Sequence, residues 1–470
     1  MAIINARSPH FISASDSNIY YSLLEVKIWE GSSASVSQSN TTYNLKKYIS
    51  TDETKITFEI SELIRDELDT SFNGEYPSAQ AQGLAKWVQT SISKYDSSNT
   101  IIGGAVVTTT LAVNGYSYFE EGSSFTMAND SLFVSKSDIF IPKFGDSNIA
   151  IYTANSPTVS LLDSAGATIG LASFFTPSVY SYDQVKYVSL YPQLITNLAF
   201  DDATDWNLPG SDVVDDGVLY LNGGNFARTP TTFTATDATN YVVSFDILTA
   251  ESGGLAFFGG SVNVSGYLKT AGSYTFEFTK SGTGTVSFFS NDGFVGTLDN
   301  VSIKEVYDVS KIKVTDDNGT NTVDVIQVKD SKFENHKVTF VNKNGTYEDM
   351  YFFLKVTDKM TTKRETYNSN TIQSNQTYSI NKHTKRDFNV SANSSIKLSS
   401  GYLNESNNEK FKQLLLSEKV WITRTFNNSE LVLPINIKTS SIDYKTTLND
   451  KLVEYSIDFE DSYNAINNIR

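Results

Sequence analysis

Apolar residues recur at every second position through most of the chain. The runs YYSLLEVKIWEG (20–31), TTYNLKKYIS (41–50) and TKITFEISEL (54–63) all show this alternation, which is the signature of a strand with one face buried. Three such runs in a row predict a small β-sandwich. At Ser61 the period changes to that of a helix. Ser61 stands as an N-cap, Glu62 falls in the first turn, Leu63, Ile64 and Leu68 follow at helical spacing, and Asn73-Gly74 ends it. LAKWVQTSISKYD (84–96) returns to strand, with Trp87 as an expected core anchor. Between Ile101 and Phe125, Asn114-Gly115 separates two strand-like runs and predicts a hairpin turn. Further strands are predicted in 130–145, 147–170 and 183–193, at the spacing of a sandwich.

From Ile195 to Glu305 the texture changes: basic residues nearly vanish and glycines multiply. The strand-like runs on either side, VKYVSLY before it and SKIKVTDDNG after it, have similar polarity, so the block reads as an insertion into a host domain. Such an insertion is tolerated when the guest's termini lie close together. The chain therefore divides into 1–194, a β-sandwich region expected as two subdomains, an inserted domain at 195–306, and a β-rich C-terminal region at 307–470 with one short helix. In that last region Asn344-Gly345 predicts a hairpin. The polar, strand-like segment 361–401 offers few core positions and would be more stable with its edges paired to a neighbouring subunit. Asn404 or Ser406 is expected to cap a helix whose Phe411, Leu414, Leu415 and Leu416 form an apolar stripe against the following strands. The fold class predicted is mainly β, with several β-sandwich domains and a few short helices.

Composition narrows the partners. The 470 residues carry a net charge of −16, which opposes the attraction to phosphate behind most nucleic-acid binding, so no nucleic acid is expected. No cysteine occurs, which excludes disulfides, thiolate metal sites and a cysteine nucleophile. The start of the sequence lacks a signal-peptide core, and no apolar run reaches the roughly 20 residues of a membrane span. The expectation is a soluble protein without membrane insertion.

Two resemblances add to this reading. The block 195–306, which opens near Asp205-Trp206 and closes on LDNVSIKEV, resembles carbohydrate-binding-module-like jelly rolls. Outside it, NARSPHFI, YFEEG, HKVTFVNKNG, LLLSEKVWI, LPINIKTSS and YKTTLNDKLVEYSIDFEDSYNAINNIR resemble a family of tail structural proteins from Bacteroidota phages, crAss-like and related. The second resemblance implies a virion component of hub, tip or baseplate type, assembled in the bacterial cytoplasm. It would contact other tail proteins and copies of itself, with no enzymatic activity. The first implies that the insert meets host surface glycans, with Trp206, Phe226 and Tyr267 as the aromatic candidates. It also implies a structural calcium near Asp299 and otherwise no cofactor.

The search for catalysis supports a non-enzymatic reading. Only His10, His336 and His383 occur, none with another histidine or a carboxylate at ligand spacing, and no HExxH, GxSxG, Walker A or GxGxxG string is present. Glu120 and Glu121 are adjacent. Neighbours on a strand point to opposite faces and cannot flank one scissile bond, so the pair is read as solvated or turn-capping. A tail depolymerase and a bacterial glycan-binding protein are the alternatives.

Overall fold

The structure is a computed structural model that describes residues 3–466 apart from 32–33, 38–39, 51–52, 75, 77–83, 123–125, 128–131, 134–137, 143–146, 154–157, 171–172, 176–183, 190–199, 201–205, 209–211, 224–226, 231–234, 236–237, 283, 307–308, 317–318, 329–332, 373–375, 427–428 and 444–451. The chain is mainly β, arranged as several separate sheets, with two short α-helices among the described residues. Among the described residues no helix is long and apolar enough to cross a membrane.

The alternating runs form the N-terminal sheet, ordered Thr41–Tyr48, Tyr21–Trp29, Ala85–Tyr95, Val106–Val113, Ile3–Asn5 and Thr126–Met127. One of its faces buries Leu24, Val26, Ile28, Val88 and Ile92 against the ribbon Phe11–Ser15/Lys55–Glu59 and helix α1 (Ser61–Glu67). Ser61 does not cap α1. Ile60 holds that position without a side-chain bond, and the Ser61 hydroxyl donates to the Glu59 carboxylate. A serine commonly satisfies itself locally when a nearby acceptor competes with the helix end.

In the middle of the chain, two sheets enclose one core of Ile141, Ile151, Val159, Leu161, Ile312, Val314 and Val325. One sheet is built from both sides of the insert: Thr158–Leu162 pairs antiparallel with Lys311–Asp316, and Ile139–Pro142 pairs parallel with Gly319–Val328. Thr168–Gly170 then pairs with Thr158–Leu162 at the edge of this sheet, and the last strand before the insert, Gln184–Ser189, pairs with Asn148–Thr153 in the second sheet; after the insert the chain re-enters the first sheet at Lys311–Asp316.

Between those strands lies an eight-stranded sheet whose core comes only from residues 200–303, including Trp206, Phe245, Phe257, Phe288 and Phe294. Its two longest strands, Asn240–Gly259 and Val286–Glu305, pair along their length through four register shifts. Bulges bend a sheet, which lets two long strands wrap one core. Gly253 sits at one of the bends with φ +70°, and a Cβ there would lie 2.6 Å from the Asn291 carbonyl.

The C-terminal seven-stranded sheet runs Tyr347–Phe352, His336–Val341, Val420–Phe426, Ser429–Ile437, Ser456–Asp461, Lys385–Ser399, Val356–Asn368. Helix α2 (Asn408–Leu415) buries Phe411 and Leu414 on it, whereas Leu416 is exposed. Neither Asn404 nor Ser406 caps α2. Both donate to Asp138 Oδ2, at 2.9 and 3.0 Å, and Asn407 takes the cap position.

Asn114-Gly115 does not turn a hairpin. Val106–Val113 pairs with Ala85–Tyr95, and the chain then crosses to the turn between His336–Val341 and Tyr347–Phe352. There the Tyr116 N–H donates to the Lys343 carbonyl at 2.8 Å. Gly345 (φ +72°) lies so close that a Cβ would sit 2.9 Å from Val113 Cβ, and a Cβ on Gly115 would sit 2.7 Å from Lys343 O. The two Asn-Gly turns interlock backbone to backbone. Gly345→Ala combines left-handed strain with this contact, and we expect a loss of about 1–3 kcal/mol, read as a lower melting temperature. An unchanged melt would show that the turns are not packed this way.

Candidate functional site

The interlocked turns belong to a larger junction between the N- and C-terminal sheets. Trp29, Trp87, Leu111 and Val113 of the first sheet share one core with Phe72, Tyr76, Tyr347 and Trp421. Edge-to-face and tilted ring contacts run from Phe72 to Tyr76, Tyr347 and Trp421 at 4.6–5.7 Å, a geometry that adds to the area term. Tyr347 Oη donates to the Ser71 carbonyl at 2.5 Å.

Buried charge is threaded through this core. Asp349 accepts the Tyr76 hydroxyl, the Thr339 hydroxyl at 2.7 Å and the Asn148 N–H at 3.3 Å, and pairs with Lys337 at 3.1 Å. Burial and the adjacent Asp349 charge hold the Tyr76 hydroxyl protonated well beyond the ordinary phenol range. The preceding residue, Glu348, pairs with Lys410 of α2 at 3.3 Å and accepts from Asn342 Nδ2 at 3.1 Å, with both charged groups buried. At the rim, Tyr118 lies under Lys343 and Lys412, with 4.4 and 3.6 Å from ammonium to ring centre, and donates to Glu409 at 2.5 Å. Burial, followed by that bond to Glu409, raises its pKa.

Glu120 and Glu121 lie in a 3-10 turn, Phe119–Glu121, rather than on a strand. Glu121 accepts the Tyr118 N–H at 2.7 Å and pairs with Lys343. The turn-capping role predicted for this pair thus falls to Glu121, through a local backbone bond.

Of the insert's predicted glycan-binding residues, Trp206 and Tyr267 are described and differ in exposure. Trp206 is 4% exposed and packs between Phe200 and Phe288 at 5.7 and 5.9 Å. Its faces are covered, so it is a core residue and not a platform for a sugar. Phe226 lies outside the described residues. Tyr267 is 44% exposed.

Asp299 stands directly across the ladder from Asp246. It accepts the Asn300 N–H at 2.7 Å, while Asp246, which is buried, accepts Asn300 Nδ2 at 2.7 Å. Burial raises the Asp299 pKa, the Asn300 bond opposes this, and the Asp246 charge adds to it. Calcium takes about six to eight oxygens. Among the described residues no three His, Cys, Asp or Glu side chains converge as a metal site; a calcium at Asp299 would draw its remaining ligands from backbone and amide oxygens.

A pKa raised by folding gives stability that is fully present below the unfolded value, about pH 4, and is lost as pH rises through the folded value. Asp299→Asn should therefore stabilise the insert near pH 7, with the gain vanishing in acid. Melting curves with and without calcium check this. If calcium raises the wild-type melting temperature and Asp299→Asn abolishes that response, the metal reading holds and the repulsion reading fails.

One buried polar contact in the insert was not anticipated. Arg228 and Asp212 are 0% and 1% exposed at their side chains and meet at 2.5 Å. Arg228 also donates to Ser290 Oγ, and Asp212 accepts the Asn222 N–H at 3.0 Å. The available signal was that Arg228 is the one arginine in the acid-rich block 195–306.

No family model matches the chain, and no curated protein is similar to it in sequence.

Proposed function

We propose that the protein is a structural subunit of a multi-copy particle, a rigid frame that displays the jelly-roll-like insert. The observation that carries this reading is that the strands before and after the insert, Gln184–Ser189 and Lys311–Asp316, pair with Asn148–Thr153 and Thr158–Leu162, two strands that contribute to one core of a frame whose outer sheets share another. Two attachment points resist rotation far better than a single flexible linker. The strings at 5–12 and in the C-terminal third, similar to tail structural proteins of Bacteroidota phages, favour a hub, tip or baseplate position in a virion tail, and copies of itself and other tail proteins as partners. No catalytic role is assigned.

Glycan contact is the second part of the proposal and rests on Tyr267. Tyr267→Ala should lower adsorption to host cells while leaving the insert's melting temperature unchanged. Mass spectrometry and electron microscopy of purified particles test the first part. Absence of the chain from particles, together with a monomer at high concentration, would sink the structural reading whatever Tyr267 does.

A further inference from the structure

Strands Val356–Asn368 and Lys385–Ser399 pair with one another from Val356↔Leu398 to Asn368↔Lys385. Only Ser395–Ser399 continues the sheet by pairing with Ser456–Asp461. Beyond Lys359 the two strands form a free ribbon, roughly 25–30 Å long at ~3.3 Å per residue. None of the described residues between 357 and 391 is buried.

The ribbon is nevertheless not a simple solvated hairpin. Ile372, Tyr378 and Ile380 are 67%, 68% and 89% exposed near its tip, and Met360, Tyr367 and Phe388 are exposed along its length. Tyr367 and Phe388 meet edge to face at 5.6 Å. An isolated two-stranded ribbon is marginal in water, and one that also exposes apolar side chains marks a contact surface. Val356–Asn368 is the terminal strand of its sheet, so its outer edge can accept another strand.

Charge selects the occupant. Residues 356–390 hold six Lys and Arg against three Asp and Glu, whereas the insert, 195–306, holds four against thirteen. Asp215, Asp216, Glu251 and Asp292 of the insert are exposed. A basic arm and an acidic domain in one chain complement each other between copies, and opposite potentials fix both register and partner.

We propose that the ribbon is a docking arm that binds the acidic insert of a second copy of this chain. This rests on the multi-copy reading above and names its contact. It makes the interface head to tail, so successive copies form a ring or a filament.

Sedimentation of the full chain tests it. Wild type should self-associate, and more weakly as salt is raised. K363E/R364E/K385E/R386E should weaken association at least about tenfold with an unchanged melting temperature, because the ribbon contributes nothing to the core. Mixing that variant with D215K/D216K/E251K should restore a mixed oligomer. Ile380→Asp should weaken association without touching the basic residues. If wild type associates and the ribbon variants associate equally well, the arm is overturned while the multi-copy reading stands. A ribbon-dependent oligomer that the insert variant fails to rescue overturns the insert as its seat. A wild type that stays monomeric and is missing from particles overturns both readings.

Discussion

Asp349→Ala is expected to cost the frame about 3–5 kcal/mol, the range for removing one partner of a buried ionic network. The Asp349 carboxylate is the shared acceptor for Tyr76, Thr339, the Asn148 N–H and Lys337. Alanine takes that acceptor away and leaves these donors in a core that water does not reach easily, so the penalty is the desolvation of the donors and not the value of one bond. Asp349→Asn keeps the size and part of the hydrogen bonding, and should fall between wild type and alanine. The measurement is denaturant unfolding followed by tryptophan fluorescence. Trp29, Trp87 and Trp421 all lie in the junction core, and the fourth tryptophan, Trp206, lies in the insert. In a Trp206→Phe background the signal therefore reports the junction alone. A midpoint unmoved by Asp349→Ala would mean that the two sheets are not locked through this residue.

Asp212→Ala should act on the insert and spare the junction. It removes a carboxylate bound to a fully buried guanidinium, and the expected loss is about 3 kcal/mol or more. With Trp206 as the reporter, the insert transition should move to lower denaturant while the junction transition stays in place. The double variant Asp212→Leu/Arg228→Met should recover most of the loss, because apolar side chains of similar volume can replace a buried pair at little cost. Failure of the double variant to recover would assign Arg228 a role beyond its pairing with Asp212. A shift of both transitions together by Asp212→Ala would show that insert and frame unfold as one unit, against the separate cores seen here.

Much of the strand content was legible because alternation is a local property. Leu24, Val26 and Ile28 bury themselves whichever sheet they join, so the strand at Tyr21–Trp29 follows from its own residues. Helix α2 was legible for the same reason, from Phe411 and Leu414. What failed was the local chemistry of ends and turns. Ser61, Asn404 and Ser406 all looked like caps, yet Ser61 donates to Glu59 and the other two share Asp138. Asn114-Gly115 looked like a hairpin turn, yet its backbone is packed against Lys343 and Gly345.

Residue type and period along the chain thus determined by themselves that this protein is built of half-buried strands and two short helices, and that its middle block differs in charge from its flanks. Only the tertiary structure decided which aromatics face solvent. Trp206 and Tyr267 are equally plausible sugar platforms as letters, and burial against Phe200 and Phe288 removes the first while the second stays exposed. The tertiary structure alone also paired Asp349 with Tyr76 and Asp212 with Arg228. Burial and charge pairing depend on contacts between residues far apart in the chain, and no local period encodes them.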